Sequence, residues 1–397
     1  MTASLEKTLQ QRFAALEAKN LVRHQRVVHT DPRNVLCSND YLGLAGDGSL
    51  LHADETSAPD AASLRSGSGA SRLISGTQPA HARLESELAH WLHTEAAIYF
   101  ATGYQANVGL LSALGQRQDV IFSDALNHAS IIDGIRLSKA QRVIYAHADM
   151  QALEHALKNT PCDGLRIIVT DAIFSMDGDA APLHDLVRLK QKYDAVLIVD
   201  EAHALGVLGD GGRGLSHAMG VAAQVDALVG PCGKAFGSTG AFIACSRLLR
   251  EWLYNRARSF VYSTAPPPWA AEYTRRALPY LIAGARQQAL QERMQFFATL
   301  LQERGFWSGA PISPIFPVVV GSETHAVALA QALDEAGIFV HPIRPPTVAE
   351  GASRLRVTVT AVTPFDVLER FVAILDDACQ RLGIQPQCWS HGQIQEK

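Results

Sequence analysis

Apolar residues along this chain fall into short unbroken runs that end on charged or polar positions. In Ala195-Val-Leu-Ile-Val-Asp200-Glu-Ala-His203 nothing polar interrupts the run, which predicts a strand buried on both faces, the kind that parallel sheets carry between layers of helices. Val120-Ile-Phe-Ser-Asp124, Leu165-Arg-Ile-Ile-Val-Thr170 and Ala97-Ile-Tyr-Phe-Ala-Thr102 repeat the pattern, each running on into a turn. Strands alternating with helices over residues 49–287 predict an α/β fold with a mostly parallel sheet covered on both sides. Residues 1–48 read as a helix from Leu5 to Asn20 and a short extended piece at Asn34-Val-Leu-Cys. After Pro266-Pro-Pro268 a long helical stretch, interrupted at Gly284, runs to Arg304 and bridges into a smaller α+β domain spanning 288–397. There Phe316-Pro-Val-Val-Val, Phe339-Val-His and Leu355-Arg-Val-Thr-Val-Thr360 read as strands, and Thr324 to Ala336 and Pro364 to Leu382 as amphipathic helices. The polar tail from Gln385 to Lys397 reads as frayed.

Open α/β sheets bind their ligands at the carboxyl ends of the strands, so Asp200 and His203 belong to a site and not merely to a surface. Further along, Lys234 sits among glycines in Gly230-Pro-Cys-Gly-Lys-Ala-Phe-Gly237. A buried Asp, a nearby His and a Lys on a glycine-rich loop suit pyridoxal phosphate chemistry. The lysine forms a Schiff base with the aldehyde, and the acid keeps the pyridine nitrogen protonated so that the ring accepts carbanion electrons. His128, at the strand-to-helix junction in Asn127-His-Ala-Ser-Ile, is placed to lie flat on such a ring, and Ser175 projects from the same sheet edge. The N–H groups of Gly103 and Tyr104, opening a helix after Thr102, form a phosphate cradle.

Composition narrows the alternatives. With 397 residues, 47% hydrophobic and 19% charged, the chain has the makeup of a globular protein of more than one domain. A formal net charge of -4 and the lack of Lys/Arg runs give no basic field for nucleic acid. The stretch Met1-Thr-Ala-Ser-Leu-Glu-Lys has no apolar core, so neither a signal peptide nor a membrane span is expected and the cytoplasm is the expected location. Cys37, Cys162, Cys232, Cys245, Cys379 and Cys388 show no CxxC pairing and read as reduced thiols, with Cys232 a small loop residue and not a nucleophile. His81, His90 and His93 read as a solvated helical face, no metal site is expected, and His147, His155 and His217 receive no role.

These residues stand among others in an order that resembles the α-oxoamine synthase family of fold-type I pyridoxal phosphate enzymes, from Arg23 to residue 383. The resemblance is carried by Ser38-Asn-Asp-Tyr41-Leu-Gly, Ser66-Gly-Ser-Gly-Ala-Ser-Arg72, Asn127-His128, Phe174-Ser-Met-Asp-Gly-Asp179, Asp200/His203, Gly233-Lys234, Val261-Tyr-Ser-Thr264 and Ile343-Arg344-Pro-Pro-Thr347 through Arg356. It implies a large domain with a seven-stranded-type, mostly parallel sheet and a smaller C-terminal domain. Lys234 is then the Schiff-base lysine and the base for the substrate Cα proton, with Asp200 on the ring nitrogen and His128 stacked on the ring. His203 and Ser175 lie near the phenolic oxygen, and Gly103 and Tyr104 hold the phosphate. Asn39 and Arg356 resemble the groups that take the amino-acid carboxylate, and Arg23, Arg344 and Thr347 the acyl-substrate contacts. Ser263 and Thr264 match a segment that reaches the cofactor phosphate of a neighbouring subunit, which implies a homodimer with shared sites.

The implied reaction is decarboxylative condensation of L-alanine with a pimeloyl thioester, carried on coenzyme A or an acyl carrier protein, within biotin biosynthesis. Glycine or serine in place of alanine, an aminotransferase or decarboxylase on the same fold, and a non-enzymatic role are the alternatives. Two positions depart from the family pattern. Pro231 stands where a Thr or Ser usually offers the phosphate a hydroxyl, leaving Ser238, Thr239 or a water to replace it, and Asp171 stands where Glu is common.

Overall fold

The computed structural model describes residues 3–18, 22, 25, 27–28, 31–50 and 66–391. Its seven-stranded sheet is built from β1 (Ala96–Phe100), β2 (Val120–Asp124), β3 (Gln141–Tyr145), β4 (Arg166–Asp171), β5 (Ala195–Asp200), β6 (Ala227–Pro231) and β7 (Ala241–Cys245), in the order β1-β7-β6-β5-β4-β2-β3. Neighbours from β6 across to β3 run parallel, while β7 is antiparallel to both β6 and β1. The apolar runs predicted from sequence are β1, β2, β4 and β5 of this sheet. Side-chain alternation sends Ile198 of β5 to one face and Leu197 and Val199 to the other, so each face has its own apolar layer. On one face lie helices Gly103–Leu114 and Ala129–Leu137, on the other Met150–Asn159 and Leu183–Tyr193. The first two helices approach closely at Gly134, where a Cβ would stand 2.9 Å from the Asn107 carbonyl oxygen.

A smaller antiparallel sheet, order β8-β10-β9, contains β8 (Ile315–Gly321), β9 (Pro342–Ile343) and β10 (Ser353–Thr358), with helices Glu323–Glu335 and Phe365–Leu382 packed with it. Helices Pro268–Ala283 and Ala285–Glu303 lead to it, meeting at Gly284 with φ 74° as the predicted interruption requires.

Three readings need correction. Phe339-Val-His is not a strand of this sheet: Phe339 instead pairs with the chain entering from Asn34 to Leu36, where Val35 is extended as expected, directly after the 3₁₀ turn Pro32–Asn34. The N-terminal helix spans Ala3–Glu17, and Asn20 lies outside the described residues. Nor is the tail frayed up to His391. Gln387 N–H donates to Val319 O at 2.9 Å, Trp389 is 3% exposed, and His391 is buried against Trp307 and hydrogen-bonded to Ile312 N at 2.9 Å and Ile315 O at 2.8 Å. Gly178 makes room for it, since a Cβ there would lie 2.7 Å from His391 Nε2. Lone aromatic anchors in a polar segment carry no periodicity, which is why the sequence pattern missed them. Among the described residues no helix is long and apolar enough to cross a membrane.

Candidate active site

Parallel strands place their carboxyl ends side by side, and this sheet loads that edge with polar groups. In-register pairing of β4 with β5 sets Asp171 beside Asp200, both buried. Asn127, following β2, fastens the edge: its Nδ2 donates to Ser123 Oγ at 2.9 Å and Val169 O at 2.8 Å, and its Oδ1 accepts from Asp171 N at 2.9 Å. The next residue, His128, caps the helix Ala129–Leu137, with Nδ1 accepting from Ser130 N at 3.2 Å while its own N–H donates to Asp171 Oδ2 at 2.7 Å. Cap and carboxylate together fix where the imidazole stands. Asp200 is held by Asn107 Nδ2 at 2.7 Å on one oxygen and by Ala202 N at 3.0 Å on the other.

From the loop after β6, the Lys234 amine reaches His203 Nε2 at 2.8 Å, and His203 Nδ1 lies 2.5 Å from the buried Tyr41 hydroxyl. Burial pushes the Lys234 amine down to about 8, with the Arg356 guanidinium adding to the shift against the opposing pull of Asp200 and Asp171. Burial likewise pushes His203 well below its ordinary range, with Lys234 and Arg356 acting in the same sense, and it lowers His128. Burial and the neighbouring Asp200 raise Asp171 well above the usual carboxylate range.

Arg356 of β10 crosses from the small sheet to this edge. Its Nε donates to Ser175 O, Nη1 to Thr358 Oγ1 at 3.0 Å and Nη2 to Asn39 Oδ1 at 3.2 Å. The structure thus brings together Lys234, His203, Asp200, His128, Ser175, Asn39 and Arg356. A cavity of about 1610 Å³ opens beside them, lined by His128 and Ser175 on the large-sheet side and by Thr347, Arg354 and Trp389 on the other. Lys234, Asp200, His203 and Arg356 are not part of that lining. Thr347 N–H closes its turn on Arg344 O at 3.1 Å; Thr347 faces the cavity, whereas Arg344 lies outside the lining. Arg23 is outside the described residues.

Gly103 and Tyr104 open the helix Gly103–Leu114. The Thr102 hydroxyl caps Gln105 N at 3.1 Å, and the N–H groups of the first turn have no intrahelical acceptor. Ser263 and Thr264 lie on a segment that bridges Ser71 and border a small cleft with Arg72 and Gln105, a lining that does not include Lys234. Pro231 packs beneath the cradle, its Cγ 3.0 Å from where a Cβ on Gly103 would be. Ser238 Oγ lies 2.8 Å from Thr274 Oγ1.

Several contributors escaped the sequence reading. Tyr41 and Asn107 brace the nominated groups through contacts distant in sequence, and Ser130 braces His128 from two residues away. His147, given no role, donates to Asp124 at 2.9 Å and Asp179 at 2.8 Å and stands edge-on to Phe174; against the cost of burial, these two carboxylates raise it to about 10. His81 is not on a solvated face: it is fully buried, with Nε2 on Pro266 O at 2.8 Å. Among the described residues no cluster suited to a metal ion occurs. Cys232 is buried, with its thiol pushed up by desolvation, which fits a packing residue.

Comparison with known proteins agrees with this geometry. The family model described as aminotransferase class I and II matches residues 34–375. An 8-amino-7-oxononanoate synthase of Anaeromyxobacter sp. strain K is 49% identical over 345 residues, covering 86% of this chain and 85% of that protein. One from Trichlorobacter lovleyi is 46% identical over 354 residues, covering 88% of this chain and 90% of its own. Among solved structures, a Sphingomonas wittichii serine palmitoyltransferase superposes with a TM-score of 0.87 at 30% identity, covering 96% of this chain and 98% of the other. The chain belongs to the aminotransferase class I and II family, within its branch of 8-amino-7-oxononanoate synthases.

Proposed function

We propose that this chain, with pyridoxal phosphate, condenses L-alanine with a pimeloyl thioester to give 8-amino-7-oxononanoate, carbon dioxide and free thiol, a step of biotin biosynthesis. The observation that carries the reading is the convergence of a half-buried lysine amine, a buried carboxylate and an imidazole on one sheet edge beside a large cavity. The donor set fits the cofactor. Each Asp200 oxygen holds one hydrogen bond and keeps a lone pair for a ring N–H, the Lys234 amine suits an aldehyde, and the first-turn N–H groups at Gly103 and Tyr104 suit a phosphate. When bound, the cofactor supplies an aldehyde that captures amines and an electron-poor ring that stores an electron pair.

The chain's residues then divide the work. Asp200 holds the proton on the ring nitrogen, and His128, fixed by its cap and by Asp171, covers the ring face. Lys234, its amine pushed down to about 8, removes the proton from the amino-acid Cα. Asn39 and Arg356 take the carboxylate, Arg being matched to it by its planar fork. Arg344 and Thr347, together with Arg23, position the acyl thioester. A carbon–carbon bond forms between Cα and the acyl carbon, the carbon–sulfur bond breaks, the thiol leaves, and carbon dioxide is lost before reprotonation.

Ser263 and Thr264 are assigned to a neighbouring subunit's cofactor phosphate, which makes the working unit a homodimer. The support is an exposed apolar patch beside them, with Leu73, Ile74 at 80% exposure, Tyr104 and Tyr262 at 72%. The test mixes protein and cofactor with alanine, glycine or serine and pimeloyl thioesters of coenzyme A or a carrier protein, reading thiol release and product mass. Thiol and carbon dioxide released with alanine support the reading. Keto-acid-dependent amine transfer without thiol release overturns it.

A further inference from the structure

The Tyr41 hydroxyl has one proton and two acceptors within reach: His203 Nδ1 at 2.5 Å and Asn39 Oδ1 at 3.3 Å. The nearer contact takes it, and Asn39 Oδ1 is served by Arg356 Nη2 at 3.2 Å. A neutral imidazole that accepts at Nδ1 must carry its own proton on Nε2, the nitrogen 2.8 Å from the Lys234 amine. Tyr41 is fully buried, so water does not compete for Nδ1. We propose that Tyr41 is a positioning residue whose hydroxyl selects the Nε2–H tautomer of His203, aiming a hydrogen-bond donor at the Lys234 nitrogen.

The hydrogen bond from Nε2–H uses the lone pair of a neutral lysine amine, and so favours that form over the ammonium. His203 is well below its ordinary range by burial, so it stays neutral and the choice between tautomers matters. Other groups bear on the Lys234 charge. Asp200 and Asp171 at the ends of β5 and β4 favour the ammonium, Arg356 of β10 disfavours it, and Lys234 in turn acts on His128 at the helix start. None of these contacts His203 Nδ1 by a hydrogen bond among the described residues, so Tyr41 is the partner there, and it competes for the tautomer only with the Lys234 nitrogen at Nε2.

The proposal rests on the functional reading above for its link to catalysis, but its first test does not. Nitrogen NMR of the protein labelled in its histidine rings, with and without pyridoxal phosphate, reads the His203 tautomer directly. Wild type is expected to show the proton on Nε2, and Tyr41→Phe a gain of the Nδ1–H form. In the holoenzyme, Tyr41→Phe is expected to move the pH midpoint of the bound cofactor's visible absorbance and to lower kcat about tenfold, the size of one ordinary hydrogen bond, with little change in KM for the acyl thioester. In a His203→Gln background the same change should have no further effect on kcat, because Tyr41 acts only through His203. Nδ1 protonated in wild type, an unmoved absorbance midpoint, or equal losses in both backgrounds would each overturn the proposal. Absence of thiol release by wild type would instead count against the functional reading.

Discussion

Pro231 is the residue whose chemistry sits oddly with its place. It offers no hydroxyl and no N–H to a phosphate, and its ring lies against Gly103 at the cradle. Pro231→Thr is therefore expected to slow loss of pyridoxal phosphate on dilution at least tenfold, since a hydrogen bond to a charged group contributes about 1.5 to 3 kcal/mol; unchanged or faster release would contradict the assignment of the phosphate site. His147 makes a pH prediction. Its folded-state pKa is raised from 6.5 to about 10, so the stability it contributes is fully present below 6.5 and is lost as pH rises through 10. The midpoint of thermal unfolding should fall over that window, and His147→Gln should flatten the fall. Lys234 acts in the opposite sense on turnover, because its neutral form, released once the amino acid has taken its place on the cofactor, is the working one: kcat should rise as pH passes through about 8. A rate that falls across that range would remove the lysine from the role of base.

At the scale of elements, the strand ends were legible in the sequence because a run buried on both faces has no alternation and terminates where polarity returns. That is why Asp200 and His128 could be named without coordinates, while Lys234 was named from the glycines around it. Tyr41 could not be placed as a partner of His203, 162 residues away, because a hydrogen bond between loops leaves no periodic signal. The same reason hid His147 between Asp124 and Asp179, and the C-terminal strap, whose Trp389 and His391 are anchored singly. Trp389 lines the cavity and lies beneath the Arg354 guanidinium at 5.5 Å, which also pairs with Asp177. Trp389→Ala is expected to cost about 3–5 kcal/mol in chemical denaturation, as other large buried aromatic truncations do, and to raise KM for the acyl thioester more than for the amino acid. A loss under 1 kcal/mol would show that the strap is not held by this side chain.

For the molecule as a whole, two sheets supply one site: the large sheet brings the lysine, the carboxylate and the imidazole, and β10 of the small sheet brings Arg356 across to Ser175 O and Asn39. In the proposed homodimer, the exposed patch at Leu73, Ile74 and Tyr262 is the face that the second copy would cover. Ile74→Glu is expected to shift the protein from dimer to monomer by light scattering and to weaken cofactor retention together; a monomeric wild type would contradict the shared-site proposal. The most direct test of the central claim is borohydride reduction of the protein with pyridoxal phosphate, followed by peptide mass mapping. The expected result is the pyridoxyl mass on the peptide carrying Lys234, absent in Lys234→Ala; the mass on a different lysine, or on none while the protein remains folded, would contradict it.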